Sequence, residues 1–429
     1  MRPDIGAFLI AVFFVLGASF SSLHSGPMII MIGLFAASVV FVFGRKKMDI
    51  GRLFSVILFL CFIAGSMYFH IRSSDDRLPA GGVVSGRATI SDFPERKDSY
   101  QRFTVRSFSH PKEKFDVIAP LYPSFRYGDV VDLSGKVEYG KNGMFVIAFP
   151  VIDIVGKGDG SSVMGSLFDI REKMTGSLMK VLPPSSSALA AGILLGDQSG
   201  FSAEMWDDFR ETGTTHIVAL SGFNIAVIAS ISAAIVSVFS RRLKFIIPVI
   251  IVILFVAMAG GEASAVRAAI MGTVLLFGKD VGRRPCMRNV IMLSALIMVL
   301  WDPGVVISDI GFELSFLAVI GIIYLAPIIK KIFRSDEEGV NSMKNIMIDT
   351  ASAQIAVTPI LLSRFGFVSW YSLPVNLLVT GTVPLAMALS FGAAITGLLS
   401  GDISRIVAVP ADMVLQYELK TIDIFAGIF

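Results

Sequence analysis

The sequence predicts a polytopic α-helical membrane protein with a small all-β domain inserted among its helices, and three observations lead to that prediction. Of the 429 residues, 54% are hydrophobic and only 17% are charged, which is not the balance of a water-soluble domain. Apolar runs long enough to span a bilayer core of about 30 Å recur along most of the chain. Residues 80–156 instead alternate apolar and polar positions over short segments, a pattern typical of strands.

Apolar runs occupy most of the first 72 residues, at 5–20, 27–43 and 53–69. The first run lacks a small-residue cleavage site, so it predicts a membrane helix rather than a removable signal peptide. The loop after the second run is basic between residues 45 and 52, and basic loops face the cytoplasm. The third run therefore exits on the far side, which makes the following domain extracytoplasmic.

Residues 80–157 form the predicted all-β domain, in which turn residues separate short strands. The predicted strands are 82–91, 102–108, 115–119, 129–137 and 143–149. Five strands in so short a length favour a small closed barrel, and the OB-fold is the leading candidate. The glycine-rich linker 156–162 ends the domain.

Basic and aromatic side chains interleave in this domain, as they do in a groove that binds single-stranded nucleic acid. The candidate DNA contacts are Arg102, Phe103, Arg106 and Arg126. The charge balance limits this prediction, because eleven lysines and arginines stand against nine acidic residues over 80–157. A solvated barrel surface explains the same pattern, so both interpretations stay open.

An amphipathic helix is predicted over residues 163–182, because apolar side chains recur there at helical spacing. Its charged side chains, Arg171 among them, fall elsewhere, so we expect this helix to lie in the membrane interface. Two shorter helices follow. One covers 189–195, and the other begins after a Ser202 N-cap and ends at Gly213. Neither is long enough to span a bilayer, so both are expected to be re-entrant.

A polytopic channel domain is predicted over residues 186–429. Basic clusters recur at hairpin intervals and are expected to lie in cytoplasmic loops, around 241–244, 279–288 and 330–344. The apolar runs between and after them lie at 216–239, 245–259, 263–278, 290–300, 307–329, 346–362, 373–399 and 406–429. The last run ends without a polar tail, which predicts either a truncated chain or a missing further pair of membrane helices.

The segment 213–224 places an imidazole, a hydroxyl and a carboxamide at the start of an apolar run. Polar groups at membrane depth usually face a partner or a water-filled path, so His216, Ser221 and Asn224 are candidates for lining or gating a channel. A serine–histidine hydrolase is an alternative, although residues five apart on a helix point about 140° apart. Ordinary hydrogen bonds between packed helices are the structural alternative.

Charged residues form two further candidate groups. Arg267 lies a turn or more inside an apolar helix, where a cation should face a cavity, a carboxylate or a phosphate. Asp309 and Glu313 share a helix face, and Arg267 is a candidate counter-ion for them. Ser315 follows on the same segment. We expect all four to line or gate the channel.

The sequence contains no pattern for a catalytic metal site or for a disulfide framework. Its two cysteines lie far apart, and none of its four histidines are paired at ligand spacing. No cofactor, metal or catalytic residue is therefore predicted. The net charge of +3 is too small to imply a polyanionic partner by itself.

Seven blocks of the sequence resemble, in the same order, blocks in the membrane domain of the ComEC family of competence proteins. They lie at 192–197, 213–224, 264–271, 282–284, 302–303, 309–316 and 374–376. The barrel region likewise resembles the extracytoplasmic OB-like domain of that family. The resemblance implies a multi-pass channel in the cytoplasmic (inner) membrane that takes up transforming DNA as a single strand.

The resemblance also implies partners, and the chain departs from the family in places. The implied partners are single-stranded DNA, membrane lipid, a DNA-delivery protein outside, a separate nuclease, and a cytoplasmic motor or single-strand-binding protein. Members commonly carry histidine where this chain has Asn224 and glutamine where it has Glu313. Many end in a metallo-β-lactamase-like domain whose motif is missing here, so this chain is expected not to be an enzyme. A transporter of a smaller anionic or lipid-linked substrate and a membrane serine hydrolase remain alternatives.

Overall fold

The computed structural model describes the chain as two compact units. One unit comprises Met1–Pro79 and Ile270–Glu313, and the other comprises Ala80–Ala269 and Leu314–Phe429. The described residues are 3–23, 48–73, 82–96, 99–107, 114–139, 145–157, 162–218, 222–236, 241–280, 282, 286–333, 343–366, 369, 371–399 and 401–427.

The first unit contains a closely packed pair of helices, α1 (Pro3–Leu23) and α2 (Met48–Ser73). Gly17 and Gly65 permit the close packing, because a Cβ on either residue would overlap a backbone carbonyl of the other helix. Both helices match apolar runs predicted from the sequence. The predicted run at 27–43 lies outside the described residues.

The second unit begins with a sheet of seven β-strands. They are β1 (Val83–Ile90), β2 (Glu95–Arg96), β3 (Tyr100–Ser107), β4 (Lys114–Pro120), β5 (Asp129–Tyr139), β6 (Phe145–Ala148) and β7 (Val151–Lys157). The strands β1, β3, β4, β6 and β5 pair in that order, and β5 pairs back with β1, so five strands form a closed ring. Within the ring only the β4–β6 pair is parallel. The predicted small five-stranded barrel is therefore confirmed.

Two of the seven strands were absent from the prediction. The strand β2 has only two residues and pairs with β3, so it is too short to show an alternating pattern. The strand β7 pairs with β5 outside the ring, and nearly all of its side chains are exposed. A strand that has the same environment on both faces shows no alternation of apolar and polar residues. The sequence pattern therefore does not indicate β7.

The interior of the barrel is apolar, and it includes one residue that was predicted to contact DNA. Phe103 is only 2% exposed, and its ring centre lies 5.0 Å from that of Phe125. The prediction that Phe103 contacts DNA is wrong, because a side chain inside the barrel cannot stack on a base. Its strand neighbours Arg102 and Arg106 alternate to the outside, as the pleat requires.

Helices make up most of the remaining described residues. They are α3 (Ser162–Val181), α4 (Pro184–Leu195), α5 (Ala203–Glu211), α6 (Thr215–Val218), α7 (Gly222–Ile235), α8 (Arg241–Met258), α9 (Ala263–Asp280), α10 (Met287–Trp301), α11 (Val305–Ser308), α12 (Ile310–Ile332), α13 (Met343–Phe365), α14 (Ser372–Thr380), α15 (Val383–Leu399) and α16 (Gly401–Ala426). The predicted run 373–399 is broken into α14 and α15, which are bent by 48°. Among the described residues, α12 and α13 are long and apolar enough to cross a membrane, and the bent pair makes a third candidate span.

The two long apolar helices, α12 and α13, pack closely against each other in the second unit. A Cβ on Gly321 would lie 2.6 Å from the carbonyl oxygen of Ser352, so this approach requires glycine. Farther along the pair, Lys330 Nζ lies 2.8 Å from Asp349 Oδ1. Backbone proximity and an ion pair therefore join these helices at separate levels.

The helix α3 packs against α4 and α15, and its buried face differs in part from the predicted one. Met174 and Leu178 are buried as the pattern predicts, but Ile170 is 47% exposed. Arg171 was expected on the charged side and is only 3% exposed. The placement of this helix in the membrane interface stays a prediction.

Candidate functional site

Short helices meet inside the second unit. In α4, 10 of 12 residues are buried, and the helix ends at Gly196 with a φ of 67°, which favours glycine. The next helix, α5, begins as predicted, because Ser202 Oγ accepts a hydrogen bond from Met205 N at 3.2 Å. It is followed by Gly213 with a φ of 68°. Two helices too short to span a bilayer are therefore present where the sequence predicts them.

Asn224 connects the short helix α4 to the longer helix α7. Its side chain is 1% exposed, and its Nδ2 donates to the carbonyl oxygen of Ile193 at 3.1 Å. Ile193 lies near the end of α4, and Asn224 lies in the first turn of α7. The carboxamide therefore supplies a hydrogen-bond donor to a carbonyl oxygen in the last turn of a short helix. This contact agrees with the helix-packing interpretation of Asn224 and leaves its predicted role in lining or gating a channel untested.

His216 lies in the short helix α6 and its side chain is exposed. Its Nδ1 lies 3.1 Å from the carbonyl oxygen of Gly213, which makes Nδ1 the donor and leaves Nε2 as the acceptor in the neutral ring. Ser221, the proposed hydroxyl partner, lies outside the described residues. The alternative of a serine–histidine pair therefore stays untested.

Arg267 is the cation that the sequence analysis placed inside an apolar helix, and it is 7% exposed. Its guanidinium carbon lies 5.7 Å from the centre of the Phe316 ring. Within the described part of the chain, its Nε and Nη1 have no hydrogen-bond partner. A Cβ on Gly222, the first residue of α7, would lie 3.4 Å from its Nη2. The guanidinium is therefore next to the start of a helix.

The acidic candidates occupy the start of α12. Asp309 Oδ1 accepts a hydrogen bond from Phe312 N at 3.0 Å, so Asp309 caps this helix. Glu313 lies in its first turn, where a carboxylate is favoured by the helix dipole. Ser315 is partly buried one turn into the helix. Asp309 and Glu313 belong to the first unit and Arg267 to the second, so their expected ion pairing stays a prediction.

Arg171 and Asp197 form a polar junction that the sequence analysis missed. Arg171 donates to the carbonyl oxygens of Gly196 at 3.2 Å and Met258 at 3.4 Å. Asp197 accepts from Thr175 Oγ1 at 3.0 Å and from Ser199 N at 3.1 Å. The loop after α4 is thus held through buried polar groups on α3. The only available signal was the residue pair Gly196–Asp197 in a block that resembles the family.

The helix α16 contributes a partly buried carboxylate, Asp412, and a buried one, Glu418, that were not predicted either. Asp412 accepts a hydrogen bond from Ser186 Oγ at 2.5 Å, and Glu418 accepts one from Thr382 Oγ1 at 2.7 Å. Glu418 is fully buried. Asp412 and Glu418 are six residues apart on an amphipathic helix. Their spacing in the sequence does not indicate which of them a neighbouring helix covers.

The outer face of the barrel carries the three basic candidates for DNA contact. Arg102 is bonded to Asp116 through Nε at 2.8 Å, and this hydrogen bond raises the pKa of Arg102. Arg106 stands four residues farther along the same face of β3 and is exposed, as is Arg126. Arg102 is therefore partly neutralised, whereas Arg106 and Arg126 have the more accessible charges.

No group of three or more histidine, cysteine, aspartate or glutamate side chains that could hold a metal ion occurs among the described residues. The Asn224 amide donates to a backbone carbonyl, and the guanidinium of Arg267 carries donors only.

Comparison with known proteins gives a consistent assignment. The family model described as "Competence protein" matches residues 193–428. The chain is also similar to ComE operon protein 3 of Bacillus subtilis (strain 168), with 25% identity over 241 residues that cover 53% of this chain. The matched region spans 30% of that relative's length. No solved structure matches. Because the family model covers more than half of the residues, the chain belongs to the Competence protein family.

Proposed function

We propose that this chain forms a pathway for single-stranded transforming DNA across the cytoplasmic membrane. Membership of the competence family supports a role in DNA uptake. In this proposal the chain is a multi-pass protein of the inner membrane, and the barrel lies on the extracytoplasmic side. The strand passes without being cleaved.

The observation that carries this proposal is the group of interrupted helices in the second unit. The helix α4 stops at Gly196 inside the packed core, and α14 and α15 are bent by 48°. Non-helical backbone at membrane depth is tolerated where protein surrounds it or where it lines a water-filled path. In transporters, interrupted helices of this kind form substrate sites. Asn224 supplies a polar contact at this interruption.

The chemistry of the candidates suits a polyanion. Each nucleotide carries one negative charge, so a path for DNA needs water, hydrogen-bond donors and a small number of cations. The proposed lining residues are His216, Ser221, Asn224, Arg267, Asp309, Glu313 and Ser315. The donors and the cation attract the backbone, and the carboxylates oppose tight binding, so the strand is held weakly enough to move.

Uptake by cells provides the test. A naturally transformable strain lacking its own homologue would carry the wild-type chain or the variants Arg267→Ala and Arg267→Lys, and would receive fluorescent double-stranded DNA. We expect Arg267→Ala to reduce internalised DNA to the level of the empty strain. Lysine keeps the charge but loses the planar guanidinium, so Arg267→Lys is expected to retain only part of the uptake.

The matched control is Arg210→Ala, because the side chain of Arg210 is 63% exposed. Immunoblots of membrane fractions must give equal amounts of all four chains. Near-normal uptake by Arg267→Ala would contradict the proposal. Competition by a small anion would instead favour a transporter, and covalent labelling that disappears in Ser221→Ala would favour a serine hydrolase.

A further inference from the structure

The start of α7 and the side chain of Arg267 bring two positive groups together in a buried place. A helix N-terminus carries a partial charge of roughly +0.5, because its first N–H groups point outward. The Arg267 guanidinium lies beside Gly222, the first residue of that helix, and the residue is 7% exposed. Like charges at this separation repel, and burial strengthens the repulsion.

The donors of Arg267 are also incompletely satisfied. Its Nε and Nη1 lack hydrogen-bond partners among the described residues, while Phe316 lies 5.7 Å from its guanidinium carbon. A ring can attract a cation but accepts no conventional hydrogen bond. Leaving a buried charged donor unpaired costs more free energy than leaving a neutral donor unpaired. An anion between the guanidinium and the helix would relieve both the repulsion and the unpaired donors.

We propose that Arg267 and the N-terminus of α7 form a binding site for one phosphate group, and that a phosphodiester is its ligand. The choice of a phosphodiester rests on the proposed passage of DNA, whereas the choice of a phosphate group rests on geometry. Helix N-termini bind phosphate through backbone N–H groups, and the planar guanidinium of arginine can donate to two phosphate oxygens at once. Glycine at position 222 keeps the space beside Nη2 free of a side chain.

The site then binds the phosphates of a moving strand one after another. A phosphate bound there is replaced by the next phosphate of the same strand, since every nucleotide carries the same group. Because the contact is to the backbone and not to a base, the site has no sequence preference.

Binding is tested on the full chain in detergent, apart from DNA uptake. The probe is dimethyl phosphate, a phosphodiester monoanion, compared with chloride at equal ionic strength. We expect it to raise the thermal unfolding midpoint by on the order of 2 °C near saturation. In Arg267→Gln the affinity should fall about tenfold or more, whereas Arg210→Gln should behave like the wild type.

A second variant keeps the charge. In Gly222→Ala the new methyl group would lie 3.4 Å from Nη2 and 3.5 Å from the Ala268 Cβ, so the chain can accommodate it while the space for an anion is filled. We expect weaker binding of dimethyl phosphate with Arg267 still present. If Arg267→Gln fails to fold, this variant alone decides the question.

The outcomes separate the site from the pathway. Equal stabilisation of the wild type, Arg267→Gln and Gly222→Ala would overturn the site. Stabilisation by inorganic phosphate but not by dimethyl phosphate would overturn the diester assignment. Stabilisation only by phosphatidylglycerol in nanodiscs, which is itself a phosphodiester, would overturn DNA as the ligand and assign the site to lipid. Arg267-dependent binding of dimethyl phosphate together with normal DNA uptake by Arg267→Gln would support the site and contradict its part in the proposed function.

Discussion

The guanidinium carbon of Arg171 lies 4.5 Å from the centre of the Phe93 ring, which joins a buried arginine of α3 to the first loop of the barrel. The same guanidinium donates to the carbonyl oxygens of Gly196 and Met258. The loop after α4, the end of α8 and the barrel therefore all meet at one side chain. Phe168 of α3 adds a ring contact to Phe93 at 5.5 Å.

We predict that Arg171→Ala loosens the first loop of the barrel without unfolding the barrel itself. The substitution removes the cation–π contact and leaves two buried carbonyls without their donor, at a cost of about 1–3 kcal/mol each. Hydrogen exchange should quicken over residues 91–96 and 196–201 and stay slow in β3 and β4. The exposed Lys173→Ala on the same helix is the control. Uniformly faster exchange through the barrel would contradict this prediction.

The packing of α1 on α2 predicts that Gly17 and Gly65 do not tolerate alanine. A Cβ on Gly17 would overlap the carbonyl oxygen of Phe62, and a Cβ on Gly65 that of Phe14. Forcing the backbones apart should cost about 1–3 kcal/mol. Unfolding in detergent should show this loss for Gly17→Ala. Gly272→Ala in α9 should be neutral or stabilising, since a Cβ there would meet nothing within 4 Å.

For the barrel, we predict that Arg106→Gln affects DNA binding and that Phe103→Ala affects stability. The isolated segment 80–157 should fold alone and bind single-stranded DNA weakly, with an affinity that falls as salt rises. Arg106→Gln should weaken binding and leave the melting temperature unchanged, because this side chain is exposed. Phe103→Ala should lower stability by about 3–5 kcal/mol through loss of core packing. A folded barrel that does not bind DNA at low salt would make it a structural spacer.

Asn224 offers a test of the contact between α7 and α4. Asn224→Ala leaves the Ile193 carbonyl without this donor, at a cost of about 1–3 kcal/mol. Asn224→Asp should be worse, because a carboxylate would face a carbonyl oxygen. Asn224→His supplies a ring N–H and should restore part of the stability. Equal melting temperatures for the alanine and aspartate variants would show that the carboxamide bond contributes little.

We predict that the purified chain does not hydrolyse DNA with or without divalent metal ions. Hydrolysis at neutral pH needs water activated on a held metal, or a nucleophile with its base in contact. The Nδ1 of His216 is directed to a backbone carbonyl. Metal-dependent nuclease activity that copurifies with the wild type and disappears in His216→Ala or Asp309→Asn would contradict this prediction.

The pattern of the sequence predicts elements well and burial less well. Hydropathy locates the helices and alternation locates the ring strands, because both depend on which face of an element meets the core. Arg171 and Phe103 show the limit. The position of Arg171 on a helical wheel could not reveal that carbonyls of two distant segments surround it. Phe103 is aromatic and could stack on a base, but the register of β3 turns its side chain into the barrel.

The broken helices show a second limit. The apolar run 373–399 continues through the bend between α14 and α15, so hydropathy does not indicate where the backbone changes direction. Ser202 and Gly213 could be predicted, since a cap and a positive φ each require particular residue types. A helix cap or a positive φ depends on the type of a single residue. The burial of a side chain depends instead on segments far away in the chain.

The pairing of α12 with α13 has a mechanical consequence. Gly321 against Ser352 and the ion pair Lys330–Asp349 hold these helices at two levels, so the pair resists both twisting and splaying. Two helices that are joined at two separate points are expected to move as one rigid body. We expect any widening during transport to occur at the bend between α14 and α15, while α12 and α13 move together as one rigid pair.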